Sequence, residues 1–265
     1  MKPVKERQVF LVSPLPSSGM THIQRTITAH KAAHIWGDWS DGGVAMDGLA
    51  RLWESSAEYA TRYRDRATGL RVAMSGGQEI ADEWIAELCP PQEDVQYGVR
   101  RLIEGACRTA NVWGFCSHYT ADHIPSLRKL WPDCLVIVAI RQPGGAMRNW
   151  SGYNGSEITT RALIAKARRA YAVMMEDDRE SGKVLWVDWS EQENPQQFLD
   201  KIYKPLELTA TPFVRTVAES RIEKHFHDPL PPIPEWIIGE AEQRLHAVYA
   251  IARSIAQKQM PQLIR

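Results

Sequence analysis

The sequence predicts an α/β fold of three layers, in which an open parallel sheet of about five strands carries helices on both faces. Short apolar runs alternate along the chain with segments of helical composition, which is the pattern of strands joined by helical crossovers. Two of these runs, at 135–140 and 183–187, are apolar almost throughout, as expected of strands covered on both faces. We therefore expect the carboxyl ends of the strands to share one edge, where open sheets bind ligands.

The first element is a strand at 8–13, followed by a Pro/Ser/Gly turn and a helix at 20–33 that contains no helix breaker. The pair Asn194-Pro195 starts a later helix, because proline is favoured in the first helical turn. The four prolines between Phe226 and Pro234 exclude a strand inside the sheet. The remaining elements are strands at 70–75, 112–116, 135–140 and 183–187, and helices at 95–110, 195–203 and 235–259.

Length and composition predict one domain spanning 1–265, with a helical insertion at 34–66 and a C-terminal helix at 235–259. The 32 basic and 32 acidic residues cancel, which argues against an extended nucleic-acid surface. The four cysteines form no CxxC pair, so we expect neither a metal site nor a disulfide framework. No targeting or membrane segment is visible, so the cytoplasm is the default expectation. Self-association as a homodimer is left open.

The turn at 13–21 places small residues where the first strand runs into the first helix. Backbone N–H groups at a helix N-terminus, with the positive end of the helix dipole behind them, bind phosphate without a charged side chain. Gly19 lets the backbone approach an anion closely, and Ser18 and Thr21 add hydroxyl groups. The alternative is a plain turn in which Ser17 or Ser18 acts as the N-cap.

Two further features of this segment bear on the kind of anion. His22 and Arg25 lie in the first turns of the helix, which is the wrong end for cations unless an anion binds there. Gly19 is followed by Met20-Thr21 and by no lysine, so the segment lacks the GxxxxGK[ST] pattern of nucleotide triphosphatases.

The stretch Pro16-Ser17-Ser18-Gly19-Met20-Thr21 resembles the loop that opens the sulfotransferase family, which reads strand, Pro-[Lys/Arg]-Ser-Gly-[Ser/Thr]-[Ser/Thr], helix. The resemblance implies a P-loop fold of the sulfotransferase type. It also implies that the loop holds the 5′-phosphosulfate of 3′-phosphoadenosine-5′-phosphosulfate (PAPS). The residues that it assigns to this part of the donor are Ser17, Ser18, Gly19, Met20 and Thr21.

A second stretch, from Leu130 to Pro143, resembles the family's Phe-Pro-Asp-Ala lead-in, its apolar strand and its Arg-x-Pro motif. This resemblance implies that Arg141 and Asn149 hold the 3′-phosphate of the nucleotide. Arg141 ends an apolar strand, and its forked donors suit a phosphate.

The stretch Val112–His118 resembles the family's Trp-Gly-[Phe/Trp]-Lys strand or its Lys-Thr-His segment. On the second alignment His118 is the base that deprotonates the acceptor, with His22 and Arg25 as further catalytic candidates. Arg221 and Lys224 lie where family members carry a basic 3′-phosphate segment. The implied reaction transfers a sulfuryl group from PAPS to a hydroxyl or amine of a small-molecule acceptor.

The sequence departs from the family at the residues that carry charge. The loop lysine or arginine of the family is Ser17 here, and its strand lysine is Cys116. Arg25, His22 or Lys224 would have to replace that charge, since stabilising the leaving group is usually the largest catalytic contribution. One alternative is a P-loop kinase using ATP and magnesium, suggested by the apolar strand that ends in Asp188. The other is a catalytically silent nucleotide-binding protein.

Overall fold

Five parallel strands form the sheet in the computed structural model, which describes residues 6–37, 92–117, 120–149, 157–220 and 233–259. The strands are β1 (Arg7–Val12), β2 (Ala33–Trp36), β3 (Val112–Cys116), β4 (Leu135–Ile140) and β5 (Val184–Asp188). Their order across the sheet is β2-β3-β1-β4-β5, and every neighbouring pair is parallel. The predicted parallel α/β sheet of about five strands is confirmed.

Helices and short 3-10 turns connect the strands. The described helices are α1 (Met20–Thr28), α2 (Gln92–Cys107), α3 (Ile124–Leu130), α4 (Pro143–Arg148), α5 (Glu157–Ser181), α6 (Pro195–Tyr203), α7 (Pro212–Glu219) and α8 (Glu235–Lys258). The 3-10 turns span Thr120–His123 and Trp189–Glu193. Among these described helices, none combines the length and the apolar character needed to cross a bilayer.

The two faces of the sheet are covered by different helices. Val9 and Leu11 of β1 point to a core that includes residues of α1, α6 and α7. Phe10 points to the opposite face, where its ring lies 4.9 Å from that of Phe115 and 5.7 Å from that of Trp131. On that face α8 and α5 pack against each other and against β5. This alternation along β1 produces the three layers, since successive side chains of a strand point to opposite faces.

The outer strand β2 differs from the sequence prediction. Ala33–Trp36 pairs with β3, although 33 was predicted to end a helix and 34–36 to begin a helical insertion. Helix α1 ends at Thr28, where the N–H of Ala29 bonds back to Arg25 O at 2.9 Å. The predicted strand at 70–75 and residues 38–66 of the predicted insertion lie outside the described residues.

By its internal contacts the chain divides into two compact units. One comprises residues 1–43 and 107–265 and contains the sheet, and the other comprises residues 44–106. The described part of the second unit lies in α2, whose Arg100 and Glu104 form an ion pair of 2.8 Å one helical turn apart. The candidate site described below belongs entirely to the first unit.

Candidate functional site

The loops after β1 and β4 lie at the point where the strand order reverses, because strands are added to the sheet on opposite sides of this pair. The connection from β1 through α1 leads toward β3 and β2, whereas the connection from β4 leads to β5 on the other side. Because β1 and β4 are neighbours, their carboxyl ends frame the crevice in which open α/β sheets bind ligands. The loop at 13–19 follows β1, and Arg141 follows β4 directly, so both belong to this crevice.

The loop at 13–19 is held in shape by its own hydroxyl groups. Ser13 and Ser18 both donate to the carbonyl of Leu15, and the Ser18 bond measures 2.8 Å. Ser17 and Gly19 have positive φ angles of 59° and 87°, a region that residues with a side chain enter only at a cost. These two left-handed residues turn the chain sharply into α1.

Several backbone donors at the start of α1 have no partner among the described residues. Gly19 is the N-cap, and no side chain caps the helix. The N–H groups at positions 18–21 donate to none of the described residues, and the first bond of the helix runs from His22 N to Gly19 O at 3.0 Å. The alternative in which Ser17 or Ser18 caps the helix is wrong, because the N-cap is Gly19 and no side chain accepts a hydrogen bond from the first turn. Free amides at a helix N-terminus are suited to an anion.

Arg141 brings a positive charge to this loop. Its Nη1 donates to Ser17 O at 3.0 Å, and its guanidinium carbon lies 4.7 Å from the ring centre of Trp189. Partial burial lowers the pKa of the Arg141 guanidinium from its usual value. Within the described ranges no carboxylate forms an ion pair with it. A partly buried cation without a counter-ion is available to an anionic ligand.

Asn149, the other residue predicted to hold the 3′-phosphate, also contacts the loop. Ser17 Oγ donates to the backbone carbonyl of Asn149 at 2.6 Å. The Asn149 side-chain amide donates to Gly145 O at 2.8 Å, which ties it to the end of α4. The structure thus brings Ser17 together with Arg141 and Asn149, although Ser17 lies more than a hundred residues from both in sequence.

Trp189 and Gln192 close one side of the loop. A Cβ placed on Gly19 would lie 2.4 Å from Trp189 Cε3 and 2.5 Å from Gln192 Nε2, so only glycine fits this position. Both polar atoms of the Gln192 side-chain amide are buried, and neither has a partner among the described residues. Neither residue is predicted from the sequence, in which the one available signal is their position directly after the apolar strand β5.

Buried polar groups hold the turn that carries Trp189 and Gln192. Asp188 accepts from Ser190 N at 2.9 Å and from the Tyr249 hydroxyl at 2.8 Å. Glu191 forms an ion pair of 2.7 Å with Lys201. Burial raises the pKa of Glu191 and lowers that of Lys201, while the ion pair opposes both shifts. These contacts join residues of the protein to one another, so the cluster holds the turn in place and is not itself suited to a ligand.

His22 and Arg25 project to a different side of α1. The His22 ring stacks on Phe198 of α6, with ring centres 5.3 Å apart, and burial lowers its pKa. Both residues line a groove of about 430 Å³ between α1 and α7, together with Phe213 and Val217. Among the described residues, no hydrogen bond or ion pair joins either side chain to Arg141 or to the loop at 13–19.

The other predicted site residues fall into two groups. Ser18 and Met20 are almost fully buried, so they can offer a ligand only their backbone amides, whereas Thr21 is exposed. His118, Arg221 and Lys224 lie outside the described residues, and their assigned roles stay predictions.

Comparison with protein-family models gives no match, and comparison with curated proteins gives none. Solved structures that resemble the chain include a sulfotransferase from Mycobacterium tuberculosis H37Rv, with a TM-score of 0.49 and 15% identity over 92% of this chain and 77% of that one. A sulfotransferase from Mycobacterium avium has a TM-score of 0.47 and 12% identity over 97% and 77% of the two chains.

The sulfotransferase domain of the Synechococcus PCC 7002 olefin synthase has a TM-score of 0.47 and 10% identity, over 93% of this chain and 97% of the domain. At these scores and identities the likeness assigns neither an activity nor a site residue to this chain. The residues that bear on function are therefore those of the loop after β1, Arg141 and the turn after β5.

Proposed function

We propose that the chain binds PAPS with its 5′-phosphosulfate on the loop at 17–21 and transfers the sulfuryl group to a hydroxyl or amine of a small molecule. One observation carries this proposal: the N-terminal amides of α1 are free of described partners beside Arg141, a cation that lacks a described counter-ion. Free amides and an unpaired guanidinium at the end of neighbouring parallel strands are the donors that a phosphorylated nucleotide requires.

The residues of the crevice are suited to both phosphorylated positions of the donor, the 5′ and the 3′ position. The amides at 18–21 lie at the N-terminus of α1, where together they can bind one anionic group. Arg141 and Asn149, which flank Ser17, are our proposed ligands of the 3′-phosphate. Gly19 lets Trp189 and Gln192 pack directly against the loop, because a Cβ at this position would collide with both.

The reaction requires one proton acceptor and one stabilised leaving group. PAPS supplies the sulfuryl group: the acceptor oxygen or nitrogen bonds to sulfur, the bond from sulfur to the 5′-phosphate oxygen breaks, and 3′,5′-bisphosphoadenosine (PAP) leaves with the negative charge. We propose His118, two residues beyond the end of β3 in sequence, as the base that takes the acceptor proton, with His22 as the competing candidate. Arg25 is a candidate only for the positive charge at the leaving group, because a guanidinium stays protonated. The loop amides stabilise the oxygen on which the charge develops.

The kinase alternative is disfavoured by the surroundings of Asp188. This aspartate is 3% exposed, and its carboxylate accepts hydrogen bonds from Ser190 and Tyr249. A carboxylate that holds magnesium beside a nucleotide needs an oxygen directed at the metal. The absence of a lysine after Gly19 in the sequence points the same way.

A catalytically silent nucleotide-binding protein remains the second candidate, and a specific observation favours it. The family's loop cation is Ser17 and its strand lysine is Cys116, which is 5% exposed. Both substitutions remove charge from the place where the leaving group would need it. Turnover of PAPS with a panel of hydroxyl and amine acceptors separates an enzyme from a binding protein.

Thermal unfolding with different nucleotides tests the proposal. A ligand that binds only the folded state raises the melting temperature, by about 5 °C for a chain of this size when its concentration is about 100 times its Kd. We expect PAP to raise the melting temperature more than AMP, and ATP to gain nothing from magnesium. A shift by ATP that depends on magnesium would instead support the kinase, and no shift by any of the three would contradict nucleotide binding.

A further inference from the structure

The loop after β1 has backbone donors but no cation of its own. A leaving phosphate accumulates negative charge during sulfuryl transfer, and neutral amides neutralise it less well than a cation does. Residue 17 is a serine, and its hydroxyl is already donated to Asn149 O at 2.6 Å. A positive charge must therefore come from another element of the fold.

Among the described cations, the one in contact with this loop is Arg141. Its Nη1 lies 3.0 Å from Ser17 O, so the guanidinium stands beside the residue at which the charge is lacking. That bond occupies one of the five N–H donors of a guanidinium, and the others meet no carboxylate within the described ranges. No described residue therefore neutralises its charge.

Trp189 holds the guanidinium in that position. The guanidinium carbon is 4.7 Å from the centre of the Trp189 ring, which is the distance of a cation–π contact. The same indole would lie 2.4 Å from a Cβ on Gly19, so one ring touches both the arginine and the loop. Arg141 is therefore fixed relative to the loop amides before a ligand arrives.

We propose that Arg141 supplies, from the end of β4, the positive charge that residue 17 does not provide, and that it contacts the anion bound on the loop. This inference rests on the proposed function and adds a second role to Arg141, whose forked donors can serve the 5′ group as well as the 3′-phosphate. It also means that the missing loop cation does not by itself make the protein silent.

Two nucleotides that differ in one phosphate separate the roles of Arg141. AMP carries the 5′-phosphate alone, whereas PAP carries the 3′-phosphate in addition. Calorimetric titration of Arg141→Ala, and of Arg141→Met, which keeps an apolar stem over Trp189, should show AMP binding weakened by about 10- to 100-fold. Circular dichroism and the melting temperature of each variant establish that it is folded.

A second substitution returns the charge to the loop. In the Arg141→Ala background, Ser17→Lys should recover much of the lost AMP affinity, because the new ammonium starts from the residue that Arg141 contacts. Ser17→Ala in the same background is the matched control, since it removes the same hydrogen bond to Asn149 without adding charge. It should recover nothing.

The outcomes distinguish this inference from the proposed function. If the unmodified protein binds PAP and AMP but both Arg141 variants lose affinity only for PAP, Arg141 serves the 3′-phosphate alone and the inference is overturned. Equal recovery with Ser17→Lys and Ser17→Ala would also overturn it. If the unmodified protein binds neither nucleotide, the proposed function fails and the inference falls with it.

Discussion

Two cations contact the 3-10 turn at Trp189–Glu193, and they differ in burial and in whether a carboxylate pairs with them. Lys201 has no exposed side-chain surface, and it is bound by Glu191 at 2.7 Å and by Ala256 O at 2.8 Å. Arg141 contacts the ring of Trp189 in the same turn and the carbonyl of Ser17, and it has no described counter-ion. A buried charge with all its contacts inside the protein serves the fold, whereas a partly buried charge without a partner is suited to a ligand.

The largest expected effect comes from breaking the internal pair. Lys201→Met leaves the Glu191 carboxylate buried without its partner, so we expect the free energy of unfolding to fall by about 3–5 kcal/mol. Urea unfolding measures this loss. Lys183→Met is the control, because Lys183 and its partner Asp133 have 43% and 92% of their side-chain surfaces exposed, and it should cost about 1 kcal/mol or less.

Arg141→Met sharpens the contrast between the two cations. It removes one hydrogen bond and one cation–π contact, so the unfolding free energy should fall by only about 1–2 kcal/mol. Nucleotide affinity should show the opposite order, with a large loss for Arg141→Met and little change for a folded Lys201→Met. A loss of stability as large as that of Lys201→Met would mean that Arg141 is structural.

A methyl group at Gly19 tests the contact between the loop and Trp189. Gly19→Ala meets Trp189 Cε3 at 2.4 Å and adopts a φ of 87°, so it combines a collision with backbone strain. Gly182→Ala is a matched control, because its φ is 60° and nothing lies within 4 Å of its Cβ. We expect about 1–2 kcal/mol for Gly182→Ala and a clearly greater loss for Gly19→Ala in the same unfolding experiment. Equal losses would show that Trp189 does not pack on the loop.

The smallest effect concerns His22, which faces the groove between α1 and α7. Burial, assisted by the charge of Arg25, lowers the pKa of His22 below its ordinary value of 6.5, and the Ala218 carbonyl opposes the shift. The unfolded chain therefore binds the proton more readily, so stability is present above the unfolded pKa and is lost as the pH falls. Unfolding measured from about pH 7 to about pH 5 should show a shallower decline in His22→Gln. An identical decline in both proteins would contradict this burial.

The parts of the fold that the sequence predicts best are its central strands. The predicted bounds of β3 and β4 match those observed, because strands with a neighbour on each side read as continuous apolar runs. The prediction missed β2, which pairs with β3 at the outer end of the sheet and includes the partly exposed His34. It also did not predict α7, whose eight residues are too few to show a helical period clearly.

The residues of the candidate site also fall into those that a local pattern predicts and those that it does not. The loop at 13–19 and Arg141 were predicted because each follows an apolar strand and carries a local pattern of residues. Trp189 and Gln192 were not predicted, because their contact with Gly19 spans about 170 positions and leaves no local pattern. His22 and Arg25 lie in the first turns of α1, directly after the loop. The pitch of the helix nevertheless directs their side chains toward α7.

The central claim is that the amides at 18–21 bind an anion, and their resonances in an NMR titration with PAP test it most directly. We predict that Gly19, Met20 and Thr21 show the largest amide shifts and saturate together. The same titration on Arg141→Met should require a higher concentration of PAP. If PAP binds while these three resonances stay unchanged, the nucleotide lies elsewhere and the account of the site is contradicted.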